Sequence, residues 1–198
     1  QTLSLIQGSE GVSILGDSRM DEKLLAKLKD KGVKALSTRT IGFNHIDLAA
    51  AHRVGVRVAH ASYPPNGVAD FTVMLMLLTL RNYKPAMWRQ NVNDYSLMGL
   101  RGRELRSLTV GVMGTGSIGR TVLQNLSGFG CRLLAYDKYQ DARVAGLARY
   151  VPLETLLRES DVISLHMPLT PETDHIIDRK ALDKMKDGVV LILSLIHI

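Results

Sequence analysis

The sequence predicts an α/β fold in which helices cover parallel β-sheets. Two observations support this prediction. Short apolar or β-branched segments alternate with helical patterns through the 198 residues. A glycine-rich turn also joins one of these strands to one of these helices. Apolar residues make up 45% of the chain, enough to form the core of one large domain or of two small ones.

The first part of the chain contains three predicted strands and two predicted helices. The strands cover 11–17, 33–40 and 56–62, and the helices cover 21–32 and 45–55. Each helix has a glycine near its end, where a residue in the left-handed conformation commonly terminates a helix. This order of elements is typical of α/β architecture.

The segment YPPN at 63–66 interrupts this pattern, and we expect the hinge between two domains there. Asn66 is suited to cap a long helix that continues through 68–92, because its side chain accepts hydrogen bonds from free N–H groups of a first turn. Pro85 is expected to kink this helix, since proline has no N–H to donate.

A second alternating series follows the polar stretch 96–107 and predicts a second α/β domain. Its predicted elements are the strands 108–114, 131–137, 161–167 and 189–193 and the helices 117–130, 151–160 and 179–188.

Composition excludes several classes of function. The formal charge is +6, but lysines and arginines are mixed with acidic residues, which argues against a nucleic-acid partner. The single Cys131 excludes a disulfide framework and a Cys-x-x-Cys metal site, and it fits a reducing cytoplasm. The most apolar window, 71–80, is much shorter than the roughly 20 residues of a membrane span. These features predict a cytoplasmic enzyme without a metal or membrane partner.

The motif GTGSIG places Gly114, Gly116 and Gly119 in G-x-G-x-x-G spacing between a predicted strand and a predicted helix. The first glycine permits a tight turn, the second lets the backbone approach a pyrophosphate, and the third allows close packing of the helix on the strand. N–H groups at the start of the helix then face the phosphates. This context predicts a Rossmann domain that binds a dinucleotide.

Asp137 ends the next predicted strand, about 20 residues after the motif. A carboxylate there can accept hydrogen bonds from the adenosine ribose and repels a 2′-phosphate, which favours NAD over NADP. Lys138 weakens this preference, because a neighbouring cation tolerates a phosphate. The alternative is that Asp137 simply forms a turn at the end of the strand.

Five segments together resemble the NAD-dependent D-2-hydroxyacid dehydrogenases, and most closely the D-lactate dehydrogenases of the vancomycin-resistance type. They are STRTIGFNHID, YPPNGVADF, GRELRSLTVGVMGTGSIGR, GFGCRLLAYD and SDVISLHMPLTPETDHII, in the family's order. The resemblance implies a homodimer in which NADH reduces a small 2-oxo acid to a 2-hydroxy acid. It also implies a flavodoxin-like substrate domain, here residues 1–98 with a linker helix at 67–90, and a Rossmann domain, here residues 99–198.

The resemblance assigns further site residues. Ile41 and Gly42 match a loop whose N–H groups bind the substrate carboxylate, although an ordinary strand-to-helix turn is the alternative for this loop. Tyr63 matches an aromatic position near the substrate, or else it packs on the neighbouring prolines. The remaining matches concern the cofactor: Ser117 and Ile118 at the pyrophosphate, and Met167, Pro168 and Thr173 in a loop that lines the cofactor site.

His166 lies at a strand end beside this loop. Contact with NAD is one interpretation of His166, and a structural histidine bonded to the backbone is the other.

The family's catalytic Arg, Glu and His follow the fifth strand of its nucleotide-binding domain. Here Leu193 stands where the family has Asn, and Ile196 stands where the Arg is expected. We therefore expect residues 1–198 to be a fragment that lacks the catalytic groups and has a foreign tail. Two functions follow as alternatives: the chain is part of a D-lactate dehydrogenase, or it is a non-catalytic NAD-binding or NADH-sensing protein.

Overall fold

The computed structural model describes residues 2–6 and 8–194, and its contacts divide the chain into the units Gln1–Pro64 and Pro65–Ile198. The division lies within the 63–66 segment predicted as a hinge. The predicted linker helix at 67–90 belongs to the second unit by its contacts. A functional boundary between residues 98 and 99 therefore remains a prediction.

In its described residues, the first unit contains a three-stranded parallel sheet with two α-helices. The strands β1 (Gly11–Ile14), β2 (Ala35–Thr38) and β3 (Arg57–His60) lie in that order, and α1 (Glu22–Asp30) and α2 (Leu48–Val54) connect them. The Asp21 and Asp47 carboxylates cap the two helices by accepting hydrogen bonds from N–H groups of the first turns. Apolar side chains from the strands and helices form one buried cluster.

The second unit contains a five-stranded parallel sheet with the order β6-β5-β4-β7-β8. Its strands are β4 (Thr109–Met113), β5 (Arg132–Tyr136), β6 (Arg149–Tyr150), β7 (Val162–Leu165) and β8 (Val190–Ile192). All five residues of β4 are buried, as expected of a central parallel strand covered on both faces. Gly111 allows the helix Leu153–Glu159 to pack directly on β4, because a Cβ there would lie 2.7 Å from Leu156 Cδ2.

Between residues 65 and 194 the structure has five α-helices: α3 (Asn66–Leu80), α4 (Tyr83–Asn91), α5 (Ser117–Ser127), α6 (Leu153–Glu159) and α7 (Arg179–Leu182). The predicted capping role of Asn66 is wrong, since Pro65 precedes the first turn and no side-chain cap forms. The predicted kink at Pro85 is also misplaced. The helix ends at Leu80, Asn82 adopts a left-handed φ of 50°, and Pro85 lies in the first turn of α4, where proline is tolerated.

The predicted α/β class with parallel sheets is confirmed, and every predicted strand is present. The strand β6 was not predicted, because two residues carry no detectable period. Strand order reverses between β4 and β7, which places a topological switch point at the carboxyl ends of these two strands. No helix in the described part of the chain has both the length and the apolar character needed to cross a membrane.

Candidate functional site

The glycine motif forms the turn between β4 and α5 at the switch point. Gly114 has a φ of +89°, and a Cβ there would lie 2.8 Å from the carbonyl oxygen of His166. A Cβ on Gly119 would overlap with the carbonyl oxygen of Gly114. Gly116, in contrast, has no atom within 4 Å of its Cβ position. Two glycines therefore allow the turn to pack tightly, and the middle one leaves open space above it.

The first turn of α5 carries Ser117 and Ile118, and Gly116 is its N-cap residue without a side-chain hydrogen bond. The first N–H groups of an α-helix have no partner within the helix, and the positive end of the helix dipole lies there. In this structure α1, α2 and α7 receive an aspartate cap, whereas α5, like α3, α4 and α6, has no side-chain cap. What sets α5 apart is that it begins at the glycine turn, where these donors can face an anion. The open space at Gly116 and the uncapped helix fit a pyrophosphate.

Asp137 follows β5 and turns back toward the glycine motif. Its Oδ2 accepts hydrogen bonds from Thr115 N at 2.6 Å and from Thr115 Oγ1 at 3.0 Å, and its Oδ1 accepts one from Tyr139 N at 2.9 Å. The carboxylate is thus joined directly to the glycine turn. Both the predicted ribose contact and the turn-forming alternative are compatible with this geometry, so the ribose contact stays a prediction.

A polar network continues from Thr115 to the far side of the site. Thr115 Oγ1 lies 2.7 Å from the Tyr150 hydroxyl, which accepts a hydrogen bond from Asp141 N at 3.0 Å. Hydrogen bonds from Arg143 and Arg120 keep the pKa of the Asp141 carboxyl far below its usual range. Both guanidiniums near this side of the site are therefore paired with a carboxylate.

His166 lies under the glycine turn and is 8% exposed. Its Nε2 is 2.8 Å from Ser164 Oγ, whereas its Nδ1 is buried and has no hydrogen-bond partner. Burial lowers the pKa of His166 to about 4, so the ring is neutral near pH 7. The ring partner is a side chain and not the backbone, which corrects that alternative. Contact of His166 with NAD stays a prediction. The buried Nδ1, which has no hydrogen-bond partner, is the ring atom with capacity left for such a contact.

The loop after β7 also borders the turn. The Met167 side chain lies against Gly114, since its Cγ would be 2.7 Å from a Cβ added to Gly114. Thr173 Oγ1 donates to Pro168 O at 2.6 Å and accepts from Thr170 N at 2.8 Å, which closes the loop on itself. The structure therefore places the three predicted residues in the loop after β7, and it brings Met167 against the glycine motif.

The predicted substrate residues follow two neighbouring strands of the first unit. Ile41 and Gly42 come after β2, and Tyr63 comes after β3. Thr40 Oγ1 donates to Gly42 O at 2.7 Å, and no atom lies within 4 Å of the Gly42 Cβ position. Tyr63 is 47% exposed. An ordered loop with open space at its glycine is compatible with a small anionic ligand, and these three assignments stay predictions.

The described residues contain no cluster of three or more histidine, cysteine or acidic side chains that could hold a metal ion. After β8, Leu193 is exposed and Ser194 is buried, with its hydroxyl 2.6 Å from Thr72 Oγ1. Position 196, where the family's Arg was expected, lies outside the described residues, as does His197 in the predicted foreign tail.

Sequence reasoning missed Thr115, Tyr150 and Asp141. Thr115 lies inside the quoted glycine motif and could have been noticed as a hydroxyl next to the turn. Tyr150 and Asp141 gave no signal, because their meeting depends on the pairing of the two-residue strand β6 with β5.

Comparison with known proteins identifies the family of the chain. The family model described as D-isomer specific 2-hydroxyacid dehydrogenase, NAD binding domain, matches residues 73–193. The D-specific alpha-keto acid dehydrogenase of Enterococcus faecalis is 43% identical over 188 residues, which cover 95% of this chain and 57% of the relative. An aromatic 2-oxoacid reductase of Clostridium sporogenes is also 43% identical, over 95% of this chain and 57% of that protein.

Among solved structures, D-lactate dehydrogenase from Aquifex aeolicus complexed with NAD and lactic acid superposes with a TM-score of 0.89. It is 36% identical, and the match covers 96% of this chain and 58% of that one. This chain thus spans somewhat more than half the length of the relatives it matches. The chain belongs to the D-isomer specific 2-hydroxyacid dehydrogenase family, and the matched residues form its NAD-binding domain.

Proposed function

We propose that the protein is an NAD-dependent dehydrogenase that reduces pyruvate to D-lactate. The observation that carries this proposal is the glycine turn at the switch point, with an uncapped helix on one side and Asp137 on the other. When bound, NADH supplies the hydride that adds to C2 of the 2-oxo acid. The carbonyl oxygen takes a proton, so that the products are the 2-hydroxy acid and NAD.

The chain's own residues bind and orient the cofactor in this proposal. N–H groups of Ser117 and Ile118 donate to the pyrophosphate, which approaches over Gly116. Asp137 accepts a hydrogen bond from the adenosine ribose. Met167, Pro168 and Thr173 line the cofactor from the loop after β7, and His166 supports the turn from below.

The charges around the site favour NAD over NADP. A 2′-phosphate would face the Asp137 carboxylate, and Arg120 and Arg143 are both held by Asp141. The Thr170 hydroxyl, a backbone N–H and the Lys138 ammonium keep the pKa of Glu172 below its usual range. Lys138 thus also has an acidic neighbour in Glu172, which supports the proposed preference for NAD.

Ile41, Gly42 and Tyr63 bind the 2-oxo acid in this proposal. The substrate carboxylate approaches the loop at Gly42, where the missing side chain leaves space for an anion. We assign no catalytic residue to the described part of the chain. The resemblance places the group that clamps the substrate carboxylate and the imidazole that protonates the carbonyl in the family's pattern after β8.

The proposal is tested first by calorimetric titration of the 198-residue protein with NADH and NADPH. We expect NADH binding and at least tenfold weaker NADPH binding. Absence of heat with NADH would contradict the proposal. The substrate is tested with the full-length protein, by comparing pyruvate with phenylpyruvate in NADH oxidation. A clear preference for phenylpyruvate would replace pyruvate with an aromatic 2-oxo acid and leave the reaction class unchanged.

The second candidate is an NAD-binding protein without turnover. Leu193 favours it, because an exposed leucine stands where the resemblance places an asparagine. We expect residues 1–198 alone to show no pyruvate-dependent NADH oxidation. The full-length sequence discriminates between the candidates: Arg, Glu and His in the family's order favour the enzyme, and their absence favours the binding protein.

We further propose that the full-length protein is a cytoplasmic homodimer. Exposed apolar side chains on α4 and the following loop support an interface. They are Tyr83, Met87, Trp88, Val92, Tyr95, Leu97 and Met98. The D-lactate that the protein is proposed to form serves either fermentation or an altered cell-wall precursor of the vancomycin-resistance type.

A further inference from the structure

Tyr150 has no place in the glycine motif, yet its hydroxyl lies between the motif and Asp141. The aromatic ring is partly buried against the core of the second unit. The hydroxyl contacts Thr115 Oγ1 at 2.7 Å and Asp141 N at 3.0 Å. A partly buried tyrosine that contributes its ring to the core and its hydroxyl to a hydrogen-bond network holds both partners in a fixed place.

The direction of each hydrogen bond in this chain follows from the donors available. The Asp141 N–H can only donate, so the Tyr150 oxygen accepts there. The Thr115 hydroxyl has one proton, and it donates to the Asp137 carboxylate, which can only accept. Tyr150 must therefore donate its proton to Thr115 Oγ1. The donors in this series of hydrogen bonds therefore all point the same way, from the Asp141 backbone to the Asp137 carboxylate.

This series of hydrogen bonds determines which further hydrogen bonds the Asp137 carboxylate can accept. A carboxylate has about four acceptor positions, two on each oxygen. The two bonds from Thr115 occupy Oδ2, and the Tyr139 N–H occupies one position on Oδ1. One acceptor position on Oδ1 is left, and its direction is set by the bonds that hold Oδ2.

Ion pairs hold Asp141, the residue at the other end of this series of hydrogen bonds. Arg120 Nη1 lies 2.7 Å and Arg143 Nη2 lies 2.8 Å from Asp141 Oδ2. The Asp141 and Arg120 side chains are only 19% and 20% exposed, so solvent screens this pair less than a surface pair. The residue that donates to Tyr150 is thus held to α5, the same helix that begins at the glycine motif.

We propose that Tyr150 is a positioning residue for cofactor selection: through the Thr115 hydroxyl it orients the Asp137 carboxylate toward the adenosine ribose. This inference rests on the proposed binding of NAD. It extends the selectivity site beyond the glycine motif and the acidic residue to the two-residue strand β6. Loss of the Tyr150 hydroxyl leaves Asp137 charged but less precisely oriented.

The test is the dissociation constants of NADH and NADPH for the 198-residue protein and its Tyr150→Phe variant. We expect NADH binding to weaken about threefold to tenfold, the effect of one lost hydrogen bond. NADPH binding should stay within about twofold, because Asp137 contributes no favourable contact to a 2′-phosphate. Parallel weakening of both cofactors would indicate a merely structural role and overturn the inference.

Two further comparisons keep the test decisive. Tyr139→Phe is the matched control, since the Tyr139 side chain is 77% exposed and only its backbone N–H contacts Asp137. In an Asp137→Ala background, Tyr150→Phe should have no additional effect on NADH binding, because the two residues act as one unit. Additive losses in that double variant would overturn the inference.

Thr115 provides an independent pair of variants if Tyr150→Phe folds poorly. Thr115→Ser keeps the hydroxyl and should retain NADH selectivity, whereas Thr115→Val should lose it. Equal selectivity in the two variants would overturn the inference. Failure of the wild-type protein to bind NADH would instead overturn the proposed function, and this inference with it.

Discussion

At the scale of single residues, the three glycines of the motif have different tasks. Gly119 has the Gly114 carbonyl at the position of a Cβ, whereas Gly116 has open space there. Both residues are glycines, and they lie three positions apart. Substituting each in turn by alanine therefore distinguishes a role in packing from a role in the approach of the cofactor.

We expect Gly119→Ala to destabilise the protein by about 1–3 kcal/mol, since backbone must move to accept the methyl group. Gly116→Ala should cost at most about 1 kcal/mol of unfolding free energy, because alanine is a poorer N-cap than glycine, but it should weaken NADH binding at least tenfold by filling the approach to the turn. Urea unfolding and calorimetric titration of both variants measure these effects. Equal destabilisation by the two substitutions would contradict the assigned roles.

His166 predicts a dependence of stability on pH. Burial lowers its pKa to about 4 in the folded protein, whereas the unfolded chain has an ordinary value near 6.5. Between these values the unfolded state binds the proton more readily, so this contribution to stability is complete above pH 6.5 and is lost as the pH falls toward 4. Its size is on the order of 3 kcal/mol.

The His166→Gln variant tests this dependence. We expect its unfolding free energy to fall less than that of the wild type between pH 7 and pH 4.5. Urea titrations at several pH values measure the difference between the two proteins. Parallel curves would show that His166 does not account for the acid sensitivity.

At the scale of elements, periodicity and glycine spacing are sufficient to predict the strands, most helices and the place of the glycine turn. The break after α3 was misplaced because it depends on tertiary contacts. Arg103 N donates to Leu80 O at 2.9 Å, and Asn82 Nδ2 donates to Arg101 O at 3.1 Å. The segment at 101–103 thus forms hydrogen bonds with groups at the end of α3. A local sequence pattern cannot reveal such tertiary contacts.

Asp161 connects three strands of the second sheet. Its carboxylate accepts hydrogen bonds from Thr109 N at 2.8 Å and from Lys186 Nζ at 2.9 Å, and its backbone oxygen accepts one from Val190 N at 3.0 Å. Burial raises the pKa of Asp161, but the Thr109 N–H and Lys186 lower it more, so the net pKa is below its usual range.

We expect Asp161→Ala to lower the unfolding free energy by about 1–3 kcal/mol at pH 7, because the Thr109 N–H loses its acceptor. Asp161→Asn should cost less, since an amide oxygen can still accept this bond. The penalty of either substitution should shrink as the pH falls from the unfolded pKa of about 4 through the lower folded pKa, because the unfolded wild-type chain takes up the proton first. An undiminished penalty at low pH would exclude the charge as its source.

At the scale of the whole molecule, the two units have separate buried clusters, and the second also exposes apolar side chains on the loop after α4. Arg89 orders this loop, since its Nη1 donates to Ser96 O at 3.1 Å and to Met98 O at 2.6 Å. Leu97 and Met98 are both 83% exposed on a loop that is nevertheless held in place.

If this loop lies in the proposed dimer interface, Leu97→Lys in the full-length protein should shift it toward the monomer. Light scattering coupled to size-exclusion chromatography measures the molecular mass. Leu5→Lys is the control, because Leu5 is similarly exposed, at 80%, but lies in the first unit. An unchanged dimer with Leu97→Lys would place the interface elsewhere.

The uncapped start of α5 has a consequence for the life of the protein in a cell. A bound pyrophosphate would complete the helix in the way that aspartates complete α1, α2 and α7. A ligand that binds only the native state raises stability with its concentration, and the unfolded fraction is what proteases degrade. The half-life of the protein should therefore lengthen when dinucleotide is abundant and shorten when the pool is depleted.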